Sequence, residues 1–123
     1  MIKLLEHTRR PDISFHKNGL IRIAARLARI LSLRPGDTIN IAVNDGEYLL
    51  YSLRHPKTEY RYEAQCYRSN RSGGENYCAN SVRLCRALFN SVGVKSERVS
   101  YMVGEAIEKN GVTYVSIITL HPL

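Results

Sequence analysis

The apolar positions of this chain follow two rhythms, and the order in which those rhythms come occurs twice. Ile13-Ser14-Phe15 alternates as a short strand, His16-Lys17-Asn18-Gly19 reads as a tight turn, and Leu20-Ile21-Arg22-Ile23 returns as a second strand. A helix is predicted over residues 24–33, with Ala24, Leu27, Ile30 and Leu31 at helical spacing and Arg26 and Arg29 on the opposite side. Arg34-Pro35-Gly36-Asp37 should end it, because proline cannot continue a helix and Gly-Asp suits a turn. A hairpin follows. Its first arm sets Ile39, Ile41 and Val43 on one face, Asn44-Asp45-Gly46 supplies the turn, and residues 47–51 run back.

The second half repeats this order. Residues 64–67 and Tyr77-Cys78-Ala79 read as strands flanking a longer turn, with Asn80 or Ser81 as the cap of a helix over 82–92. That helix should bury Leu84, Cys85, Leu88 and Phe89 and expose Arg83, Arg86 and Asn90. A hairpin from residues 98–103 to 112–118 closes the copy, with a turn region ending in Lys109-Asn110-Gly111. The helices share a motif, Arg26-Leu27-Ala28-Arg29-Ile30-Leu31 against Arg83-Leu84-Cys85-Arg86-Ala87-Leu88, and both copies end in His-Pro, at His55-Pro56 and His121-Pro122. The offset between copies grows along the chain, which places insertions around 90–96 and 104–110. Internal repetition dictates architecture. The prediction is one domain over 1–123, with pseudo-repeat one at 11–56, a charged linker at 57–62 and pseudo-repeat two at 63–123.

Composition narrows the class. With 123 residues and 44% hydrophobic content the chain is globular, and it has no apolar run near the roughly 20 residues that span a bilayer. The start lacks a signal peptide's apolar stretch, so a cytoplasmic location without membrane attachment is expected. Three cysteines, Cys66, Cys78 and Cys85, have no zinc-site spacing, and Cys85 reads as a small buried thiol at the position of Ala28 in the first copy. His7, His16, His55 and His121 have no metal-ligand spacing either, so neither a metal nor a cofactor is expected. A Cys–His nucleophilic pair stays open, since such partners meet only in space. The net charge of +7 is uneven, with 11 basic and 6 acidic residues in 1–62 against 7 and 5 in 63–123. A basic surplus is the footprint of a nucleic-acid binder and also of a protein that is merely well solvated.

Residues 19–53 resemble the AbrB-like (SpoVT-AbrB, swapped-hairpin) family of bacterial transcription factors, which includes MazE-type antitoxins. Gly19-Leu20-Ile21-Arg22-Ile23, Leu27, Leu31-Ser32-Leu33, Arg34-Pro35-Gly36-Asp37, the strand over 39–43 and Asp45-Gly46 carry the likeness. Leu20 stands where the family usually has Arg, Ala24 where it has Pro, and Ser32 where it has the helix-ending Gly. The resemblance implies a mainly β fold with two short α-helices. In it, duplicated β-α-β-β units form a single-chain double-psi-like barrel of the swapped-hairpin AbrB type, where family members pair two chains.

The function this implies is a small bacterial DNA-binding transcriptional regulator or antitoxin-like protein, non-catalytic and acting on duplex DNA, with a cognate toxin or other protein as a further partner. The expected contacts are Arg9, Arg10, Lys17, Arg22, Arg26 and Arg29, with Arg68, Arg71, Arg83 and Arg86 as their pseudo-symmetric counterparts. Guanidinium groups grip phosphates and read guanine edges bidentately. The loop over 68–74 is basic and glycine-containing but lacks the Gly-Lys-Ser/Thr of a P-loop, and reads as a hairpin tip. Tyr48, Tyr51, Tyr101 and Tyr114 fall in strands and should be half-buried rather than base-stacking. Two other readings compete: a protein-interaction or structural module, and a small enzyme with its site between the repeats. Monomer and homodimer are both compatible with the sequence.

Overall fold

A computed structural model of the chain describes residues 10–55, 62–69, 74–120 and 122–123. The first hairpin pairs β1 (Ile13–His16) with β2 (Leu20–Ile23). Gly19 closes its turn at φ +102°, a conformation that a side chain would strain. Helix α1 (Ala25–Ile30) follows, then the hairpin of β3 (Thr38–Asn44) and β4 (Glu47–Leu53). The second half supplies β5 (Tyr67–Arg68), β6 (Tyr77–Asn80), α2 (Val82–Val92), β7 (Arg98–Tyr101), β8 (Val103–Lys109) and β9 (Val112–Ile117). The fold is thus mainly β with two helices. No helix among the described residues is long and apolar enough to cross a membrane.

The strands form two antiparallel sheets, ordered β5-β6-β2-β1-β7 and β3-β4-β9-β8, and their pairing does not close into a barrel. The sheets meet at two places. Met102 alone separates β7 from β8 along the chain. At the other place Thr38 bridges Gln65, while the Ile39 amide donates to the Ala64 carbonyl and the Cys66 amide to that of Asp37. Between the sheets lies a core of Ile13, Phe15, Ile21, Ile23, Leu27, Leu50, Cys85, Tyr101 and Val115, each exposed by 1% or less. Both halves of the chain contribute to it.

Several elements depart from the sequence pattern for visible reasons. The helix expected over 24–33 ends at Ile30, because Ser32 turns left-handed at φ +52° and the Leu33 amide reaches back to the Ala28 carbonyl. The strand expected over 64–67 is reduced to a bridge at Gln65 and the two residues of β5, since Ala64 also takes a positive φ, of +58°. Residues 104–109, expected in a turn, extend β8, and an irregularity in register between Val103 and Ala106 absorbs the extra length. The remaining turn is Asn110-Gly111 alone, and both its residues have positive φ, as do Asp45-Gly46 in the other hairpin. Tyr101 is fully buried against Phe15, not half-buried, and Leu84 is only partly covered. The linker over 57–62 lies outside the described residues except for Tyr62, which stacks on His55 with ring centroids 3.9 Å apart.

Candidate nucleic-acid interface

The five-stranded sheet sends Ile13 and Phe15 of β1 into the core, so Ser14 and His16 point to its other face, where Ser14 is itself buried and His16 half-buried. On β2, Ile21 and Ile23 are buried while Arg22 is exposed. On β7 Val99, Ser100 and Tyr101 are all buried and Arg98 is exposed, with Ser100 on the same side of the strand as Arg98. Register then groups these side chains. Ser14 is opposite both Arg22 and Ser100, and His16 is opposite Arg98. Ser14 and Ser100 share a hydroxyl–hydroxyl hydrogen bond of 2.7 Å. A shallow groove of about 250 Å³ continues the face toward Arg10, lined also by Ser69, Asn76 and Cys78.

The expected basic contacts fall into different situations. Arg10 and Arg22 come together in this groove. Lys17, at the tip of the β1–β2 hairpin, lies 3.9 Å from Glu97. Arg26 Nη1 donates to Asp12 Oδ2 at 3.0 Å, and that carboxylate also accepts the Val103 amide at 2.9 Å. Arg29 pairs with Glu75 and Arg83 with Glu63, both at 3.2 Å. Arg68 sits 6.0 Å from the centre of the Tyr77 ring, and Arg86 lines a separate groove with Lys17 and Lys95. Arg9 and Arg71 lie outside the described residues. Sequence reasoning missed Arg98. The alternation of Arg98-Val99-Ser100-Tyr101 was the signal that could have put Arg98 on the non-core side of a strand, though not which strand it would face.

Several cations of this face have no carboxylate partner among the described residues, as Arg68 and Arg86 elsewhere also do not. Among the described residues no carboxylate pairs with Arg10, Arg22 or Arg98, whereas Arg26, Arg29 and Arg83 each have one. His16 is held below its ordinary pKa by burial, then by Arg22 and Arg98 beside it. Its Nε2 is enclosed and has no hydrogen-bond partner among the described residues.

The cysteines offer no comparable chemistry. Burial pushes the Cys66 thiol up to about 12 and that of Cys85 to about 11, the opposite of what an activated thiolate needs. Among the described residues no group of three or more His, Cys, Asp or Glu is placed to hold a metal ion. Compared with protein-family models, curated proteins and solved structures, the chain finds no match in any of the three.

Proposed function

We propose that this protein is a small, non-catalytic DNA-binding regulator or antitoxin-like protein of AbrB-like type, which holds duplex DNA against the outer face of its five-stranded sheet. The observation that carries this reading is the set of cations Arg10, Arg22 and Arg98 on one polar sheet face, unpaired with carboxylates among the described residues. Exposed guanidinium groups without a carboxylate gain most from a polyanion, because each neutralised phosphate releases condensed counterions. Arg26, Arg29 and Arg83 move from the contact set to a structural one, since each already has a carboxylate.

The duplicated double-psi-like barrel belongs to the same proposal. Hairpin, helix and hairpin follow one another twice, and Arg26 and Arg83 each pair with a carboxylate, Asp12 or Glu63, that lies just before the first strand of its own repeat. The test is fluorescence anisotropy with labelled duplex DNA across a salt series. Arg22→Ala combined with Arg98→Ala should weaken binding at least tenfold and reduce the salt slope by about 2. Unchanged affinity in that variant would remove the surface.

One observation favours an additional protein partner. On the outer face of the four-stranded sheet Leu53 and Ile107 are 44% and 52% exposed, and the Tyr51 ring leans on that of Tyr114 with centroids 5.2 Å apart. Self-association without any duplex binding at low salt would turn the reading toward an interaction module.

A further inference from the structure

We propose that His16, Arg22 and Arg98 form a single oxyanion site for a phosphate-type group, and that occupation of this site takes up a proton at the His16 imidazole. The inference deepens the DNA-binding reading and rests on it only for the source of the phosphate. Its first support is geometric. The Lys17 amide donates to the Glu97 carbonyl at 2.8 Å, so the neighbouring His16–Arg98 pair is a non-hydrogen-bonded one, whose side chains stand closest across an antiparallel ladder. The Ser14–Ser100 hydroxyl contact two residues along confirms the close approach on this face. Arg22 is on the opposite flank, diagonal to His16 across β1 and β2, within reach of a long side chain at about 7–8 Å between backbones.

The second support is an unsatisfied atom. His16 Nε2 is buried without a partner among the described residues, and enclosed polar atoms in folded proteins normally have one. The neutral ring could accept at Nε2 from a guanidinium group, yet neither forms that bond among the described residues, and both repel a protonated ring. An oxyanion set between them, once the side chains enclosing Nε2 move aside, satisfies the protonated ring. It accepts from both guanidinium groups and from Nε2–H, and its negative charge removes the cost of protonating the imidazole.

The other groups around His16 do not substitute for such a ligand. Lys17 is next to Glu97, and the Cys85 sulfur of α2 is engaged with the His16 backbone amide rather than the ring. Burial, then Arg22 and Arg98, hold the free imidazole below its ordinary pKa, and a bound anion opposes the share that comes from the two guanidinium groups. Binding should therefore strengthen as pH falls, by up to about tenfold per pH unit between the titration points of the free and occupied site.

The experiment follows the His16 ring by NMR from about pH 5 to pH 8, alone, with sulfate and with duplex DNA, using His16→Gln to assign the signal. Neither probe titrates in this range, so any linkage belongs to the protein. Both are expected to raise the His16 titration point, and Arg22→Gln should abolish the rise. A rise with DNA only would assign the site to a polynucleotide phosphate, and an equal rise with sulfate to free oxyanions as well. Sulfate moving His16 without any duplex binding would support the site and overturn the DNA reading. Duplex binding with an unmoved His16 would overturn the site and leave that reading intact, and an unmoved His16 in every arm overturns it outright.

Discussion

Asp12 is 3% exposed and spends its carboxylate on two partners distant in sequence, Arg26 of α1 and the amide of Val103 at the start of β8. A buried carboxylate left with fewer donors carries much of its desolvation cost uncompensated. Arg26→Ala should thus destabilise the fold by about 1–3 kcal/mol while leaving duplex affinity within about twofold of the parent. Arg22→Ala should do the reverse, since Arg22 is exposed and has no carboxylate among the described residues. Chemical denaturation and anisotropy on the same two variants check both outcomes, and a large affinity loss in Arg26→Ala would return it to the contact surface. His16 adds a pH dependence. Its folded-state pKa lies below the ordinary 6.5, so the unfolded chain binds the proton more readily. The contribution of His16 to stability is complete above about pH 6.5 and is lost as pH falls through its folded value. A melting-temperature series in wild type and His16→Gln should show the acid-side decline flattened in the variant.

Two turns make the elements depend on single backbone angles. Ser32 ends α1 in a left-handed conformation that glycine adopts without penalty, and it is exposed. Ser32→Gly should stabilise the protein by about 0.5–1 kcal/mol, read as a rise of a few degrees in thermal unfolding. Gly19 is the opposite case. Besides its φ of +102°, a Cβ there would lie 2.9 Å from the Val82 amide nitrogen and 3.2 Å from the Ser81 carbonyl carbon. The Ser81 amide also donates to the Gly19 carbonyl, and the Ser81 hydroxyl caps α2 by accepting from the Leu84 amide. Gly19→Ala should therefore displace the start of α2 as well as strain the turn, costing about 2 kcal/mol or more. A melting temperature equal to wild type would show that the contact relaxes freely.

The same elements explain what could be read in advance. Asp45-Gly46 and Asn110-Gly111 between alternating runs announced the hairpins, and α2 matched its expected bounds because Ser81 and Gly93 punctuate it. Gly93 closes it in the left-handed region, and the amides of both Gly93 and Val94 return to the Phe89 carbonyl. Ser32 and Ala64 were opaque because neither residue type advertises a positive φ. At the site, Arg22 was visible from strand alternation. The pairing of Arg26 with Asp12 was not, since 14 residues separate them and no local period links the two positions. The His16–Arg98 pair depended on β1 meeting β7 across the molecule, which no short-range pattern encodes.

At the scale of the whole chain, neither half completes a sheet by itself. β1 and β2, the first hairpin, lie between β7 on one side and β6 on the other, and β4 of the first half pairs with β9 of the second. Phe15 packs on Tyr101, and Asn76 from the second half accepts the Ala25 amide at the start of α1, whose own cap position, Ala24, has no side-chain acceptor. A fragment spanning 1–58 would expose the inner faces of β1, β2 and β4 and lose the carboxamide that caps its helix. A two-stranded hairpin has marginal stability in water, and two of them joined by a six-residue helix have no shared core to bury. Each fragment alone, 1–58 or 59–123, should therefore show no cooperative thermal transition by circular dichroism. Mixed in equal amounts they should recover one, because the hydrogen-bond ladders between halves re-form without the covalent link. The recovered midpoint should rise with concentration, since tethering no longer supplies the effective concentration of one half for the other. Duplex binding by the mixture but by neither fragment would follow, for Arg22 and Arg98 come from different halves and share a face only when β1 is paired on both edges. A cooperative transition in either fragment alone would refute the interdependence, and would mean that the pairing across β2–β6 and β4–β9 joins two units already folded.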